Sequence, residues 1–275
     1  MQLAVQQNSW EDSVSSKIKP RLRRQKNVNS YEIDARYYDE IHQSWNSDLN
    51  FWLPFVEKTQ GELLEVGGGT GRITIRLAAE GYRITSVEPS KEMRDIAKIK
   101  FVEKNLSPHF IKGRLPKVSL PKEKYVAALL PADVFLYCND HMEQKLVLNK
   151  IADALMRHGL IAFDLPGPVF GLAPEKNGEP IMAFQAENPN NHLQEVQHIC
   201  YDDIAQTRRK LIIRYYTSTG KEESIHELLY VSLEEIKVLL KKTGFELENV
   251  YGNYYLGSYT PKSERMIVVA HKREA

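Results

Sequence analysis

A glycine-rich turn between a short apolar strand and a helix constrains this chain more than any other feature. Residues 63–66 (LLEV) have the pattern of a buried strand, and Gly67, Gly68, Gly69 and Gly71 follow before a helical run. Glycine lets the backbone turn tightly, reach positive φ and meet a ligand without a Cβ in the way. The first N–H groups of the helix then face that ligand. The turn therefore predicts a ligand site where the first strand ends.

The spacing of the glycines distinguishes between the kinds of ligand that the turn could hold. A dinucleotide turn needs a third glycine three residues after Gly69, where Arg72 stands, and a phosphate-binding P-loop needs a lysine that is missing. The pattern here is an acid, Glu65, followed by glycine at every second position up to Gly71. An acid before the turn suits a ligand with an ammonium group and hydroxyls better than a pyrophosphate.

A second acid supports this interpretation. Glu88 closes the second predicted strand and lies 17 residues after Gly71. In a doubly wound α/β sheet, an acid at this position hydrogen-bonds a ribose diol.

The order of elements predicts the fold class. From Gly61 onward, short β-type runs alternate with helical runs, which is typical of a parallel sheet flanked by helices. The predicted sheet strands are 63–66, 82–88, 109–112, 125–130, 160–165, 245–251 and 265–271, and the predicted helices are 71–80, 90–104, 140–158 and 232–243. Antiparallel strands are expected at 192–201, 207–217 and 225–230. The fold class is therefore α/β: a doubly wound, mostly parallel seven-stranded sheet with an antiparallel inserted lid between strand five and the last helix.

The same pattern divides the chain into three parts. Residues 1–30 form a flexible basic N-terminal arm, 31–175 and 231–275 form the main domain, and 176–230 form the inserted lid or substrate segment. The arm carries six cations between positions 17 and 26, and it is either a frayed, solvated segment or a patch for a phosphate, a nucleic acid or a partner.

Composition narrows the function classes. Lys plus Arg number 37 and Asp plus Glu 36, so the net charge of +1 gives no field that would attract nucleic acid or an anionic membrane. The longest apolar run, 125–132, is too short to span a bilayer, and the N-terminus lacks the apolar core of a signal peptide. We therefore expect a soluble cytoplasmic protein. Cys138 and Cys200 are the only cysteines and predict neither a disulfide framework nor a metal site.

The segments LLEVGGGTGR and TSVEPSKEM together resemble the class I S-adenosylmethionine-dependent methyltransferases, the seven-stranded Rossmann-like family. The resemblance covers about residues 31–272 and implies S-adenosylmethionine as the cofactor. It also implies roles for particular residues: Gly67, Gly69 and Gly71 along the methionine part, Glu65 at its amino end, Glu88 on the ribose, Met93 on the adenine and Leu130 at the end of strand four. One position departs from the family pattern, because Arg114 follows Gly113 where an Asp usually contacts adenine.

The sequence indicates less clearly which residues would bind the molecule that accepts the methyl group. Residues 35–40 (ARYYDE) resemble the N-terminal lid of small-molecule methyltransferases, with Tyr38 over the cofactor and Tyr31 and Tyr37 behind it. Methyl transfer needs an aligned nucleophile and, for an N–H or O–H acceptor, a base. The candidate bases are Asp133, His141, Asp164 and His192, each of which could instead be a helix cap or a surface group.

These observations favour methyl transfer from S-adenosylmethionine to N or O of a small-molecule metabolite. Neither a membrane nor a nucleic acid is expected as a partner, and the oligomeric state stays open. Two alternatives are an RNA or protein methyltransferase that docks through the basic arm, and a non-methylating regulator or cyclase that binds the same cofactor.

Overall fold

The computed structural model describes residues 30–43, 45–57, 59–188 and 190–274. The six cations predicted to form a basic arm lie outside these residues. Two helices precede the sheet: α1 (Ser30–His42) and α2 (Leu49–Glu57). The sequence pattern had not predicted either helix as an element.

The first half of the main domain follows the predicted alternation closely. Its elements are β1 (Glu62–Val66), α3 (Arg72–Ala79), β2 (Arg83–Glu88), α4 (Lys91–Glu103), β3 (His109–Lys112), β4 (Tyr125–Leu130), α5 (His141–Ala154) and β5 (Leu155–Pro166). A short 3₁₀ turn, Val134–Tyr137, follows β4. Side-chain caps start two of these helices as the sequence indicated, since Ser90 and Asp140 accept hydrogen bonds from the backbone N–H groups of Met93 and Glu143.

The second half contains the insert and the closing strands. Its elements are β6 (Pro180–Gln185), β7 (Leu193–Asp203), β8 (Arg208–Thr217), β9 (Gly220–Leu229), α6 (Leu233–Lys242), β10 (Phe245–Tyr251) and β11 (Arg265–Lys272). Ser232 and Glu235 form the predicted capping box at the start of α6. The antiparallel strand β6 had not been predicted.

The elements form two sheets. The larger sheet has seven strands in the order β10-β11-β5-β4-β1-β2-β3, and β11 runs antiparallel to both of its neighbours. The strands β5-β4-β1-β2-β3 are mutually parallel. The smaller sheet has the order β6-β7-β8-β9 and is antiparallel throughout. The predicted fold class is confirmed.

Both faces of the large sheet are buried, as in other parallel sheets covered by helices. In β1, Leu64 packs into one apolar cluster with Ile151 and Phe163, whereas Leu63 packs on the opposite face with Trp52 of α2. Successive side chains of a strand point to opposite faces, so a continuous apolar run marks a strand buried on both sides. Among the described residues, no helix is long and apolar enough to cross a membrane.

Helix α1 joins the two sheets. Its Ile33 and Tyr37 lie in a third buried cluster with Leu193, Val196 and Tyr215 of the small sheet. The Ser30 hydroxyl exchanges hydrogen bonds with the backbone of Ile225 in β9. The insert therefore packs on the N-terminal helix.

Two predicted boundaries are wrong. The strand expected to begin at residue 225 begins five residues earlier, at Gly220. The helix expected to run to His158 ends at Ala154, and the next four residues begin β5. Leu155 pairs with Tyr125 of β4 and is completely buried, so pairing within the sheet overrides the local helical pattern. Leu146, expected in the core, is 46% exposed.

Candidate cofactor and acceptor site

A cavity opens where β1, β2 and β4 end at their carboxyl edge. It encloses about 940 Å³ of empty space, including its open mouth. Ligands of open α/β sheets bind at this edge. Six of the predicted cofactor residues line it: Tyr38, Gly67, Gly69, Glu88, Met93 and Leu130.

The glycine turn brings the backbone to the cavity. Gly67 and Gly69 have φ values of +77° and +54°, which glycine adopts without the steric cost of a Cβ. A Cβ on Gly67 would lie 2.5 Å from a Val134 methyl, whereas a Cβ on Gly69 would meet no protein atom within 4 Å. Gly69 therefore leaves open space for a ligand. Gly71, at φ +84°, lies outside the cavity, where a Cβ would lie 3.1 Å from the Phe101 ring.

Glu88 ties the end of β2 to the glycine turn. Its carboxylate accepts hydrogen bonds from the backbone N–H groups of Gly69 (2.9 Å) and Ser90 (2.8 Å). Burial raises the pKa of Glu88, and these two hydrogen bonds partly oppose that rise. Each carboxylate oxygen has further lone pairs, so the group can still accept hydrogen bonds from a ribose diol.

Glu65 lies beneath the turn and is almost completely buried. It does not line the cavity, and its carboxylate accepts a hydrogen bond from the Thr74 hydroxyl of α3. One of its oxygens lies near Gly68, where a Cβ would be 3.3 Å away. Burial raises the pKa of Glu65 to about 7, so the group is poised to change its charge near neutral pH.

Polar contacts fasten the N-terminal helix over the glycine turn. Asp39 accepts a hydrogen bond from the Thr70 hydroxyl (2.6 Å) and pairs with the Lys100 ammonium (2.8 Å). Arg72, directly after the turn, makes a bidentate ion pair with buried Asp48 at 2.8 and 2.5 Å. These contacts hold Tyr38 of α1 at the cavity wall, and burial raises the pKa of its phenol.

Arg114, the residue that departs from the family pattern, also faces the cavity. Arg114 lines it and donates hydrogen bonds to the Tyr137 carbonyl (2.5 Å) and the Glu143 carboxylate (3.1 Å). The guanidinium has no acceptor atom, so it cannot replace an Asp that accepts a hydrogen bond from adenine.

The four candidate bases do not form one cluster. Asp133 and Asp164 meet at Arg265, whose guanidinium lies 2.6 and 2.5 Å from their carboxylates, and neither lines the cavity. Burial raises the pKa of Asp133 to about 6, and Arg265 opposes that rise. His141 and His192 also lie outside the cavity wall, and each bonds a neighbouring polar group: His141 to Gln144, His192 to Ser218.

A buried polar cluster beside the cavity was missed in the sequence. His226 of β9 lies 2.9 Å from the Asp34 carboxylate of α1, which also accepts a hydrogen bond from the Tyr215 hydroxyl (2.6 Å). The rings of Tyr31 and Tyr137, both in the cavity wall, lie edge-on to the imidazole. One signal was available, because alternate positions of β9 point inward and His226 occupies such a position.

Comparisons with known proteins agree with this site. The model of a methyltransferase domain family matches residues 63–159, which contain the glycine turn and Glu88. A protein of Geobacillus sp. (strain WCH70), named as a methyltransferase, is 24% identical over 258 residues, which are 88% of this chain and 100% of that protein.

Two solved structures share the fold. An S-adenosylmethionine-dependent methyltransferase from Clostridium acetobutylicum has a TM-score of 0.75 at 16% identity, with 90% of this chain and 100% of that chain covered. CalS10, an amino pentose methyltransferase from Micromonospora echinaspora solved with S-adenosylmethionine bound, has a TM-score of 0.62 at 15% identity, with coverages of 91% and 99%.

The fold, the glycine turn and the family match together define a class I S-adenosylmethionine-dependent methyltransferase. S-adenosylmethionine is the cofactor, as the resemblance implied. The open space at Gly69 and the acceptor oxygens of Glu88 fit this nucleoside.

Proposed function

We propose that the protein transfers the methyl group of S-adenosylmethionine to N or O of a small-molecule acceptor. The observation that carries the proposal is the enclosure of the cavity beyond the glycine turn. Tyr31 and Tyr38 of α1 and Tyr137 after β4 line that part of the wall, and α1 is itself packed against the inserted sheet. An acceptor that lies under α1, with the insert packed against that helix, is small. The amino pentose methyltransferase among the structural neighbours supports this choice.

We assign the cofactor contacts as follows. Glu88 holds the ribose hydroxyls, the backbone at Gly67 and Gly69 approaches the methionine part, and Met93 packs on the adenine. Leu130 and Tyr38 complete the wall on the two sides of the reacting group. When bound, the cofactor supplies an electrophilic methyl group on sulfur, and the protein aligns the acceptor atom opposite the leaving sulfur.

We propose that Asp133 and Asp164 hold the part of the cavity wall at Ala132 in position. Ala132, which lines the cavity, and Asp133 both have left-handed φ values, +57° and +61°, and such residues cost about 1–2 kcal/mol each. The ion pairs of Arg265 with Asp133 and Asp164 hold this strained turn in place. That His141 or His192 acts as a base stays a prediction. The cytoplasmic location of the protein also stays a prediction.

A panel assay tests the proposed function. Purified full-length protein is first titrated with S-adenosylhomocysteine by calorimetry to establish cofactor binding. Release of S-adenosylhomocysteine is then measured with small amines, alcohols and carboxylic acids on matched carbon skeletons, and in parallel with total RNA and mixed protein. We expect turnover with small acceptors that is unchanged when the six cations at positions 17–26 are replaced by glutamine. Turnover confined to a macromolecule and lost in that variant would favour the docking-arm alternative, and binding without any turnover would favour a regulator.

A further inference from the structure

We propose that Arg114 recognises the base of the cofactor by donating hydrogen bonds to it, and that the site therefore binds a 6-oxopurine nucleoside as well as it binds adenosine. The proposal rests on the assignment of Glu88 to the ribose hydroxyls, which is part of the proposed function. It does not depend on the identity of the methyl acceptor. Arg114 is then a specificity-determining residue of the cofactor site.

The order of the strands places Arg114 beside the base. Strands β1, β2 and β3 are parallel neighbours and end at the same edge of the sheet, with the glycine turn after β1 and Glu88 at the end of β2. Glu88 pairs with Lys112 of β3, and the next residue, Gly113, donates a backbone hydrogen bond to the Glu88 carbonyl (3.2 Å). Arg114 therefore follows on the side of Glu88 that lies away from the glycine turn. A nucleoside with its methionine part at the turn and its ribose at Glu88 extends its base toward Arg114.

The cavity wall around Arg114 suits a flat base. Leu115, Met93 of α4 and Cys138 are buried and line the cavity together with Arg114. Burial raises the pKa of the Cys138 thiol to about 12, so this group stays protonated and uncharged. Among the lining residues within the described ranges, only Glu88 and Arg114 belong to the strongly charged types. Since the ribose occupies Glu88, Arg114 is the charged group that meets the base.

The guanidinium of Arg114 is fixed on one side and has unused donors. Its Nη2 atom donates to the Tyr137 carbonyl (2.5 Å) and to the Glu143 carboxylate (3.1 Å). The same carboxylate accepts a hydrogen bond from the Asn139 backbone N–H (2.5 Å), so the group that holds the guanidinium is itself held. Within the part of the chain that the structure describes, Nε and Nη1 have no hydrogen-bond partner. A guanidinium contains donors only, so these two atoms can donate to a ligand but cannot accept from one.

The phenol of Tyr31 indicates which way the guanidinium faces. Burial raises the pKa of Tyr31, the charge of Arg114 opposes that rise, and the charge of Glu88 adds to it. Both charged groups therefore lie close to this side chain, which is part of the cavity wall. The guanidinium and the carboxylate assigned to the ribose face the same space.

A side chain with donors alone favours particular edges of a purine. The 6-amino group of adenine is itself a donor, so Arg114 has to donate to a ring nitrogen beside it, N1 or N7. In hypoxanthine the 6-position is a carbonyl, and O6 and N7 together form the edge on which an arginine donates twice, as it does to guanine. Replacing the amino group by a carbonyl therefore adds an acceptor for Arg114.

Calorimetry with two nucleosides tests this selectivity without any methyl acceptor. We expect S-inosylhomocysteine to bind the wild-type protein with a Kd no more than about threefold above that of S-adenosylhomocysteine. In Arg114→Asp, a carboxylate accepts from the 6-amino group and repels O6, so the ratio of the inosyl Kd to the adenosyl Kd should rise about tenfold or more. Lys112→Asp makes the same charge change at an exposed position of β3, so it is the matched control and should leave the ratio unchanged.

Two results of this experiment would overturn the proposal. One is a wild-type Kd for S-inosylhomocysteine more than about threefold above that for S-adenosylhomocysteine. The other is a folded Arg114→Asp protein that keeps the wild-type ratio. Arg114→Met removes the donors without adding a charge and covers a failure of Arg114→Asp to fold. Its ratio should rise about threefold or more because O6 loses its donor, and an unchanged ratio would equally overturn the proposal.

Two further ligands identify the acceptor on adenine. The 1-deaza and 7-deaza analogues of S-adenosylhomocysteine each lack one ring nitrogen. We expect at least one of them to bind the wild-type protein about tenfold more weakly than S-adenosylhomocysteine, and to lose that deficit in Arg114→Met. Analogues that bind as well as S-adenosylhomocysteine, or deficits that persist in Arg114→Met, would overturn the assignment. These results leave the small-molecule acceptor untouched, since the panel assay tests it separately.

Discussion

Cofactor binding should release a proton from Glu65. The carboxyl is buried beneath the glycine turn with its pKa raised to about 7, and the resemblance places it at the amino end of the cofactor. An ammonium group next to this carboxyl would stabilise its charged form and lower its pKa.

The size of the effect follows from that pKa. At pH 6 a carboxyl with a pKa of about 7 is about 90% protonated, so binding should release about 0.9 proton per S-adenosylhomocysteine. At pH 8 the group is about 90% ionised, so release should fall to about 0.1 and affinity should be about tenfold higher than at pH 6.

Calorimetry in two buffers of different ionisation enthalpy measures the released protons at each pH. Glu65→Gln keeps an acceptor for the Thr74 hydroxyl but has no proton to release, so it is the matched control. The pKa of Glu88 is raised as well, but Glu88 is present in both proteins. The difference in proton release between the two proteins therefore reports Glu65. Tight binding at pH 6 with equal proton release in both proteins would refute the contact between Glu65 and the ammonium.

The raised pKa of Glu65 also predicts how the stability of the protein depends on pH. The folded-state pKa of about 7 lies above the ordinary glutamate value of 4.5, so the folded chain binds the proton more tightly than the unfolded chain. The ligand-free protein should lose up to about 3 kcal/mol of stability from this group as pH rises from about 4.5 to 7. In Glu65→Gln, urea unfolding should show that loss reduced.

Three further predictions concern the turn, the ribose contact and the ion-pair network. Gly69→Val should lower the melting temperature, because its φ of +54° strains a β-branched residue, but its Cβ meets no protein atom, so the variant should still fold and should lose S-adenosylhomocysteine binding. Gly67→Ala should lower the melting temperature without a ligand being involved, because its φ is +77° and its Cβ would lie 2.5 Å from a Val134 methyl. Near-native affinity in folded Gly69→Val would contradict this reasoning. Glu88→Gln should weaken binding by about 1.5–3 kcal/mol, or about 10- to 150-fold in Kd by calorimetry, and an unchanged Kd would place the ribose elsewhere. Arg265→Met should cost about 3–5 kcal/mol in urea unfolding by leaving the fully buried Asp164 carboxylate and the partly exposed Asp133 carboxylate without their cation, and a loss below about 1 kcal/mol would show that the network is dispensable.

Much of the main domain follows from local sequence. Strand β3, strand β4 and strand β10 have the bounds that the pattern predicts, and the caps at Ser90 and Ser232 are in place. Such features depend on side chains within a few residues of one another, so they can be inferred from a short window. The cofactor side of the cavity was predictable for the same reason, since the turn and the end of β2 are brought together by neighbouring parallel strands.

The predictions that failed concern residues whose structure depends on contacts with distant parts of the chain. Leu155 has helical spacing with the residues before it, but its pairing with Tyr125 places it in β5. Asp133 and Asp164 were each predicted as a candidate base that could instead be a helix cap or a surface group, and Arg265 joins them from the other end of the chain.

Class, cofactor and sheet could be inferred from the printed residues, because the chemistry of the glycine turn and its two acids lies within one βαβ unit. The buried polar cluster beside the cavity could not. Asp34 and His226 come from a helix before the sheet and a strand of the insert, and no local pattern links them. Their contact exists only because α1 packs on the small sheet and buries both polar groups together, where each needs the other as a hydrogen-bond partner.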